Sequence, residues 1–165
     1  IPTTFYRDIL MRLALYQPEI PQNTGTLMRL CACMDISLYI IHPCGFVFED
    51  KHLRRAGMDY TDLATLQHHT TWDAFQSWAN SEGARIILLD AKAKTPYTDF
   101  RFQLNDIIMM GQESSGVPEE IFESIPNRLL IPMVPGCRSL NVSLAAAMAV
   151  GEATRQLSLL RKEQI

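Results

Sequence analysis

Apolar residues fall along this chain in short blocks that alternate between two rhythms. Leu13 to Tyr16, Ser37 to Ile41, Arg85 to Leu89, Asp106 to Met110 and Leu129 to Pro132 are brief, nearly unbroken apolar runs. Runs of that length, rich in Ile, Leu, Val and aromatic residues, predict strands buried on both faces of a sheet. Between them the spacing turns helical. Thr24 to Met34, the short basic stretch Asp50 to Ala56, Trp72 to Asn80, Pro118 to Ile125 and Val142 to Leu159 predict helices. Phe75 and Trp78 share one side of the third helix, which Gly83 closes, and Pro118 sits near the first turn of the fourth. Strand and helix alternate throughout with no linker or repeat. The fold class expected is α/β, with a mostly parallel sheet covered by helices on both faces. One domain is expected over residues 11–165, with residues 1–10 as a leader that is extra to it or flexible.

In parallel sheets, ligands bind beyond the C-terminal ends of the strands. Three loops here fall in that place: the one after Leu89, the run Gly111-Gln112-Glu113-Ser114-Ser115-Gly116, and Met133 to Asn141. The last carries Pro135, Gly136 and Arg138 and leads into an Ala-rich helix, for which Ser139 or Asn141 is a natural N-cap. A strand, a bent loop and a helix N-terminus together expose several backbone N–H groups, enough to hold a small polar ligand by the main chain. The glycine spacing matches neither a dinucleotide fingerprint nor a P-loop.

Composition narrows the class. The chain has 165 residues, 47% of them hydrophobic and 20% charged, enough for one full core. Its segments lack an apolar run of the length that spans a bilayer, and the first residues lack a signal-peptide pattern, so a cytoplasmic protein with no membrane partner is expected. Four cysteines suit a reducing compartment. Cys31 and Cys33 have the wrong spacing for a zinc pair and are expected to be core filler, and the adjacent His68 and His69 are not expected to share a metal. Net charge is −3, so binding to nucleic acid would need a local patch rather than bulk charge. The densest cluster is Lys51-His52-Leu53-Arg54-Arg55, whose plainer reading is a solvated helix face.

Three blocks together resemble the SPOUT superfamily of RNA methyltransferases. They are Pro18-Glu19-Ile20-Pro21-Gln22-Asn23-Thr24-Gly25 with Arg29, then Gly111 to Pro118, then Ile131 to Ser143. Within the superfamily the chain is similar to the small tRNA 2′-O-methyltransferases acting on nucleotide 34, the wobble cytidine or uridine. Gly45-Phe46, Asp50-Lys51 and Leu53 to Tyr60 match a stretch typical of that group. The resemblance runs from about Met11 to Leu157. It implies a C-terminal trefoil knot, a homodimer, S-adenosyl-L-methionine as cofactor and a tRNA anticodon stem-loop as partner.

It also implies roles for residues. Arg29 is assigned to activating the ribose 2′-OH; because arginine stays protonated, it would act by stabilising the developing alkoxide or gripping a phosphate. Asn23 is expected to cap the first helix from Thr24. Glu113, Arg138 and Asn141 complete the polar catalytic set. Leu89, Gly111, Ile131, Met133, Ser139 and Leu140 match the cofactor positions, with Leu89, Ile131 and Leu140 placed to sandwich adenine. Lys51, Arg54 and Arg55 would meet tRNA phosphates. The second block departs from the family's usual Glu-Thr-Arg-Gly: Ser115 stands in place of the arginine, and Gln112 in place of a proline. Two alternatives follow, a 2′-O-methyltransferase for another RNA and an RNA-binding relative with weakened catalysis.

Overall fold

The computed structural model describes residues 11–48, 51–57 and 64–162. Seven strands form one parallel sheet: β1 (Arg12–Tyr16), β2 (Ser37–Ile41), β3 (Leu66–His69), β4 (Ile86–Leu89), β5 (Thr95–Pro96), β6 (Ile107–Met110) and β7 (Asn127–Leu130), in the spatial order β3-β2-β1-β6-β4-β7-β5. Among the described residues five α-helices accompany them, α1 (Pro21–Met34), α2 (Lys51–Gly57), α3 (Trp72–Ser81), α4 (Glu119–Ser124) and, after the last strand, α5 (Val142–Lys162), with one 3-10 turn at Tyr97–Asp99. The α/β class and the two-sided cover are as the apolar runs require.

The period of two along each strand divides the core. Leu13, Leu15, Leu38, Ile40, Ile87, Leu89, Ile108 and Met110 point to one face, where they meet Leu27 and Met28 of α1, Leu53 of α2 and Ala146, Ala149, Val150 and Ala153 of α5. Ala14, Tyr16, Tyr39, Ile41, Leu88, Ile107 and Met109 point to the other, against Phe75 and Ala79 of α3 and Ile121 and Phe122 of α4. A strand with helices on both sides has no position for a polar residue, which explains its unbroken apolar sequence. The entry to β4 and β6 is locked by Arg85, whose guanidinium makes two bonds of 2.8 and 2.7 Å to the buried Asp106 carboxylate.

Several boundaries differ from the sequence expectation. The helix expected from Thr24 begins at Pro21, with Ile20 as its N-cap and no side-chain cap of its own. Proline suits the first helical position, where its fixed φ fits and its missing N–H is not needed. Asn23 is therefore inside the first turn, not a cap. β7 lies two residues earlier than expected, because Pro132 cannot donate to a ladder. β3 and β5 were not expected at all. Both are edge strands, paired on one side only, so the polar sequence Leu66-Gln67-His68-His69 is tolerated there. His68 is paired with His42 across 2.7 Å, while His69 stacks on Tyr39 from the opposite face. Cys31 is buried filler, its thiol pushed up to about 12 by burial, but Cys33 is exposed. The expected leader, residues 1–10, and Asp50 lie outside the described residues.

Candidate functional site

The chain turns back in the middle of the sheet. From β1 it steps outward to β2 and β3, then crosses to β4 on the far side of β6. Such a reversal opens a crevice at the strand C-termini. There the loops after β1, β4, β6 and β7 enclose a pocket of about 540 Å³. Its walls include Leu89, Gly111, Ile131, Met133, Ser139 and Leu140, all six positions expected to bind a cofactor, together with Asn23, Glu113 and Asn141.

The pocket is shaped as much by what is missing as by what is present. Gly111 lies so close to Gly116 that a Cβ on it would sit 2.6 Å from the Gly116 carbonyl carbon. Gly116 itself has φ +69°, the left-handed region that glycine enters without steric penalty. Paired backbone bonds between Gln112 and Gly116, of 2.8 and 2.9 Å, close the loop into a tight hairpin.

The three sequence blocks are laced together by polar side chains. The Glu113 carboxylate accepts the backbone N–H groups of Glu19 (2.8 Å) and Ile20 (3.3 Å) and the Asn23 amide (3.5 Å). It serves, from 90 residues away, as the acceptor that α1 lacks at its own start. Glu19 returns the contact, accepting the Ser114 N–H at 2.9 Å and the Ser114 hydroxyl at 2.8 Å. Asn141 caps α5, its Oδ1 accepting the N–H of Ser143 at 2.8 Å. That use of Oδ1 leaves its Nδ2 to donate to Asn23 Oδ1 at 3.0 Å, which in turn aims Asn23 Nδ2 at Glu113. The Ser143 hydroxyl donates to the Asn23 carbonyl at 3.1 Å. Of the two caps weighed for α5, Asn141 is the one used.

The two departures in the second block are coupled. The Ser115 hydroxyl donates to Gln112 Oε1 at 2.8 Å, and Gln112 Nε2 donates to Gln17 Oε1 at 3.1 Å. Where the related pattern carries a cation, this wall carries a neutral relay.

Other expected site residues stand apart. Arg29 is exposed on α1 and is not part of the pocket wall. Arg138 is exposed on the loop between β7 and α5, next to Ser139 but outside the wall. Lys51, Arg54 and Arg55 are exposed on α2, which is anchored by the buried Leu53. Asp90, Lys92 and Gln17 belong to the site or its support and were not singled out in the sequence. Asp90 directly follows the apolar run of β4, the one signal that marks it. Among the described residues no group of three or more His, Cys, Asp or Glu side chains could hold a metal ion, and no helix is long and apolar enough to cross a membrane.

The Glu113 brace makes a direct prediction. Glu113→Gln puts an amide donor where one oxygen now accepts an N–H group. Urea unfolding should show a loss of about 1–3 kcal/mol. An unchanged midpoint at an unchanged slope would mean that the carboxylate does not hold the loops.

The geometry fits what is found among known proteins. The SpoU rRNA Methylase family matches residues 10–151. A tRNA (cytidine(34)-2'-O)-methyltransferase of Beijerinckia indica subsp. indica is 53% identical over 150 residues, 91% of this chain and 94% of the relative. An Escherichia coli K12 protein of the same name is 40% identical over 150 residues, 90% of this chain and 94% of its own length. A solved structure described as giving insight into 2-OH methylation of C/U34 on tRNA superposes with a TM-score of 0.86 at 38% identity, covering 90% of this chain and 96% of the other. With likeness at this level along almost its whole described length, the chain belongs to the SpoU rRNA methylase family.

Proposed function

We propose that this protein transfers a methyl group from S-adenosyl-L-methionine to the ribose 2′-hydroxyl of nucleotide 34, cytidine or uridine, in the anticodon stem-loop of tRNA. The observation that carries this reading is the pocket: three strand-end loops, lined by the six cofactor positions, in a chain whose relatives of like length bear that activity in their names. They support a tRNA substrate over the ribosomal RNA of the family description. We place the enzyme in the cytoplasm, as a single domain whose C-terminal segment is threaded as a trefoil knot.

The residues fit the cofactor. The close Gly111–Gly116 contact keeps side chains out of the space between the loops, so main-chain groups of Gly111, Met133, Ser139 and Leu140 can read an adenine edge. Leu89 and Ile131 offer buried apolar surface for its faces, and Leu140 a half-covered one. The donor, when bound, supplies a methyl group activated by its sulfonium. The protein's own task is to place the 2′-oxygen in line and to stabilise charge as the proton leaves. Asn23, Glu113 and Asn141 are positioning residues in this reading, since their polar atoms are committed to one another and to backbone. Arg29 follows Asn23 by six residues, about 9 Å of helix rise and on a different face. Its role is therefore on the RNA side rather than on the donor, and Arg138 would take a phosphate. Lys51, Arg54 and Arg55 present a compact cationic face for tRNA phosphates.

We further read α5 as a contact between two copies of the chain. Ala146, Ala149, Val150, Ala153 and Leu157 face the core, which leaves Leu144 and Met148 exposed at 61% and 41% beside Ala147 and Gly151. That face is apolar and shallow enough for close helix packing.

Incubation of the purified protein with S-adenosyl-L-methionine and unmodified tRNA, followed by mass mapping, should place a single new 2′-O-methyl group at nucleotide 34. A methyl group elsewhere, or on ribosomal RNA alone, would replace this reading. Arg29→Ala should keep donor affinity within about twofold and lower methyl transfer by about 10²–10³, and wild-type turnover at saturating tRNA would remove Arg29 from the mechanism. Light scattering should give about twice the 18.7 kDa of one chain, whereas an active monomer would contradict the α5 contact.

A further inference from the structure

The polar side chains of the pocket are almost all spoken for by one another. Glu113 is committed to the start of α1, Asn23 to Asn141 and Glu113, and Ser115 to Gln112. Lys92 points away, its ammonium 3.3 Å from Glu119 and over the ring of Phe122. Among the described residues two side chains of the wall are exceptions, the Ser139 hydroxyl and Asp90, and only Asp90 carries a charge. Its Oδ1 accepts the backbone N–H of Lys92 at 2.8 Å, but among the described residues no donor pairs with Oδ2. That oxygen lies beside Gly116, close enough that a Cβ there would meet it at 2.9 Å. The residue is also fixed by its main chain, the Asp90 N–H donating to Leu129 at 2.9 Å and its carbonyl accepting from Ala93 at 3.1 Å. A half-buried, preorganised carboxylate oxygen in a ligand pocket calls for a donor on the ligand.

The cofactor reading supplies the donor, and this inference rests on it. Asp90 follows Leu89, an expected wall of the adenine site, by one residue, about 3.8 Å along the chain. The first group beyond adenine in a nucleoside is the ribose, with two neighbouring hydroxyls. An acidic side chain in the crevice beyond the carboxyl ends of parallel strands is also the group that dinucleotide-binding sites use for a ribose hydroxyl. We propose that Asp90 is a cofactor-binding residue that accepts hydrogen bonds from the 2′,3′-hydroxyl pair of the methyl donor's ribose. Its Oδ1 stays on the Lys92 N–H and orients the group, while Oδ2 takes the hydroxyls. The Gly116 position must lack a side chain partly to leave that oxygen its space.

The test uses calorimetry on the full chain with S-adenosylhomocysteine, its 2′-deoxy and 3′-deoxy counterparts, and 5′-methylthioadenosine, which lacks the amino-acid end. Asp90→Asn is the variant of choice. Its carbonyl can keep the Lys92 bond, so its melting temperature without ligand should match wild type, while an amide donor replaces the free acceptor. Wild type should lose about ten- to a hundredfold in affinity when at least one hydroxyl is removed. Asp90→Asn should lose as much with intact S-adenosylhomocysteine and discriminate the deoxy compounds by less than about threefold. It should weaken 5′-methylthioadenosine by the same factor. Full affinity in Asp90→Asn, or an undiminished deoxy penalty, overturns the proposal. So does a loss confined to S-adenosylhomocysteine, which would assign the carboxylate to the ammonium instead. Failure of wild type to bind any of the four compounds would overturn the cofactor reading itself, and the proposal with it.

Discussion

The site depends on a pair of glutamates that exchange partners across the crevice. Glu113 accepts N–H groups at the head of α1, and Glu19, just before that head, accepts the N–H and hydroxyl of Ser114. Charge-assisted bonds of this kind are short and directional. They do two things at once: they satisfy a helix start that has no cap of its own, and they set the distance between the loops after β1 and β6. Asn23 passes the constraint on to Asn141, 118 positions away, and so to the start of α5. The pocket is thus a product of long-range closure. None of its loops has the geometry alone, and each is held by a residue from another.

This explains which parts of the molecule could be read in the sequence. β1, β2, β4 and β6 are legible because burial on both faces leaves nothing but apolar residues to write them with. β3 and β5 are not, because an edge strand obeys no such rule. At the start of α1 two local signals conflict, a proline suited to the first turn and an asparagine suited to a cap. The proline prevailed because the cap came from Glu113, which no local reading contains. At the site the loops were visible as Gly- and Pro-rich turns after apolar runs. The relay from Ser115 through Gln112 to Gln17 was not, since its partners are 95 residues apart. Asp90 is illegible for a simpler reason: one charge after a strand looks like any solvated turn residue until the pocket around it is known.

The arrangement also suggests how specificity is divided. The pocket wall combines apolar side chains and glycines with polar side chains that are largely bound to one another, and its one cation, Lys92, is held by Glu119. The cations Arg29, Arg138 and the α2 cluster all lie outside it. In the proposed function, donor binding and RNA binding would be separate tasks on separate surfaces, joined at α1, which carries Asn23 at one end and Arg29 near its middle.

Hydrogen–deuterium exchange of the full chain, with and without S-adenosyl-L-methionine, tests most directly whether the three strand-end loops form one interlocked cofactor site. Exchange should slow together in residues 89–93, 111–116 and 133–141, and in the first turn of α1 through Glu113 and Asn23, while α2 stays unchanged. Slowing confined to α2, or to one loop without the others, would contradict it.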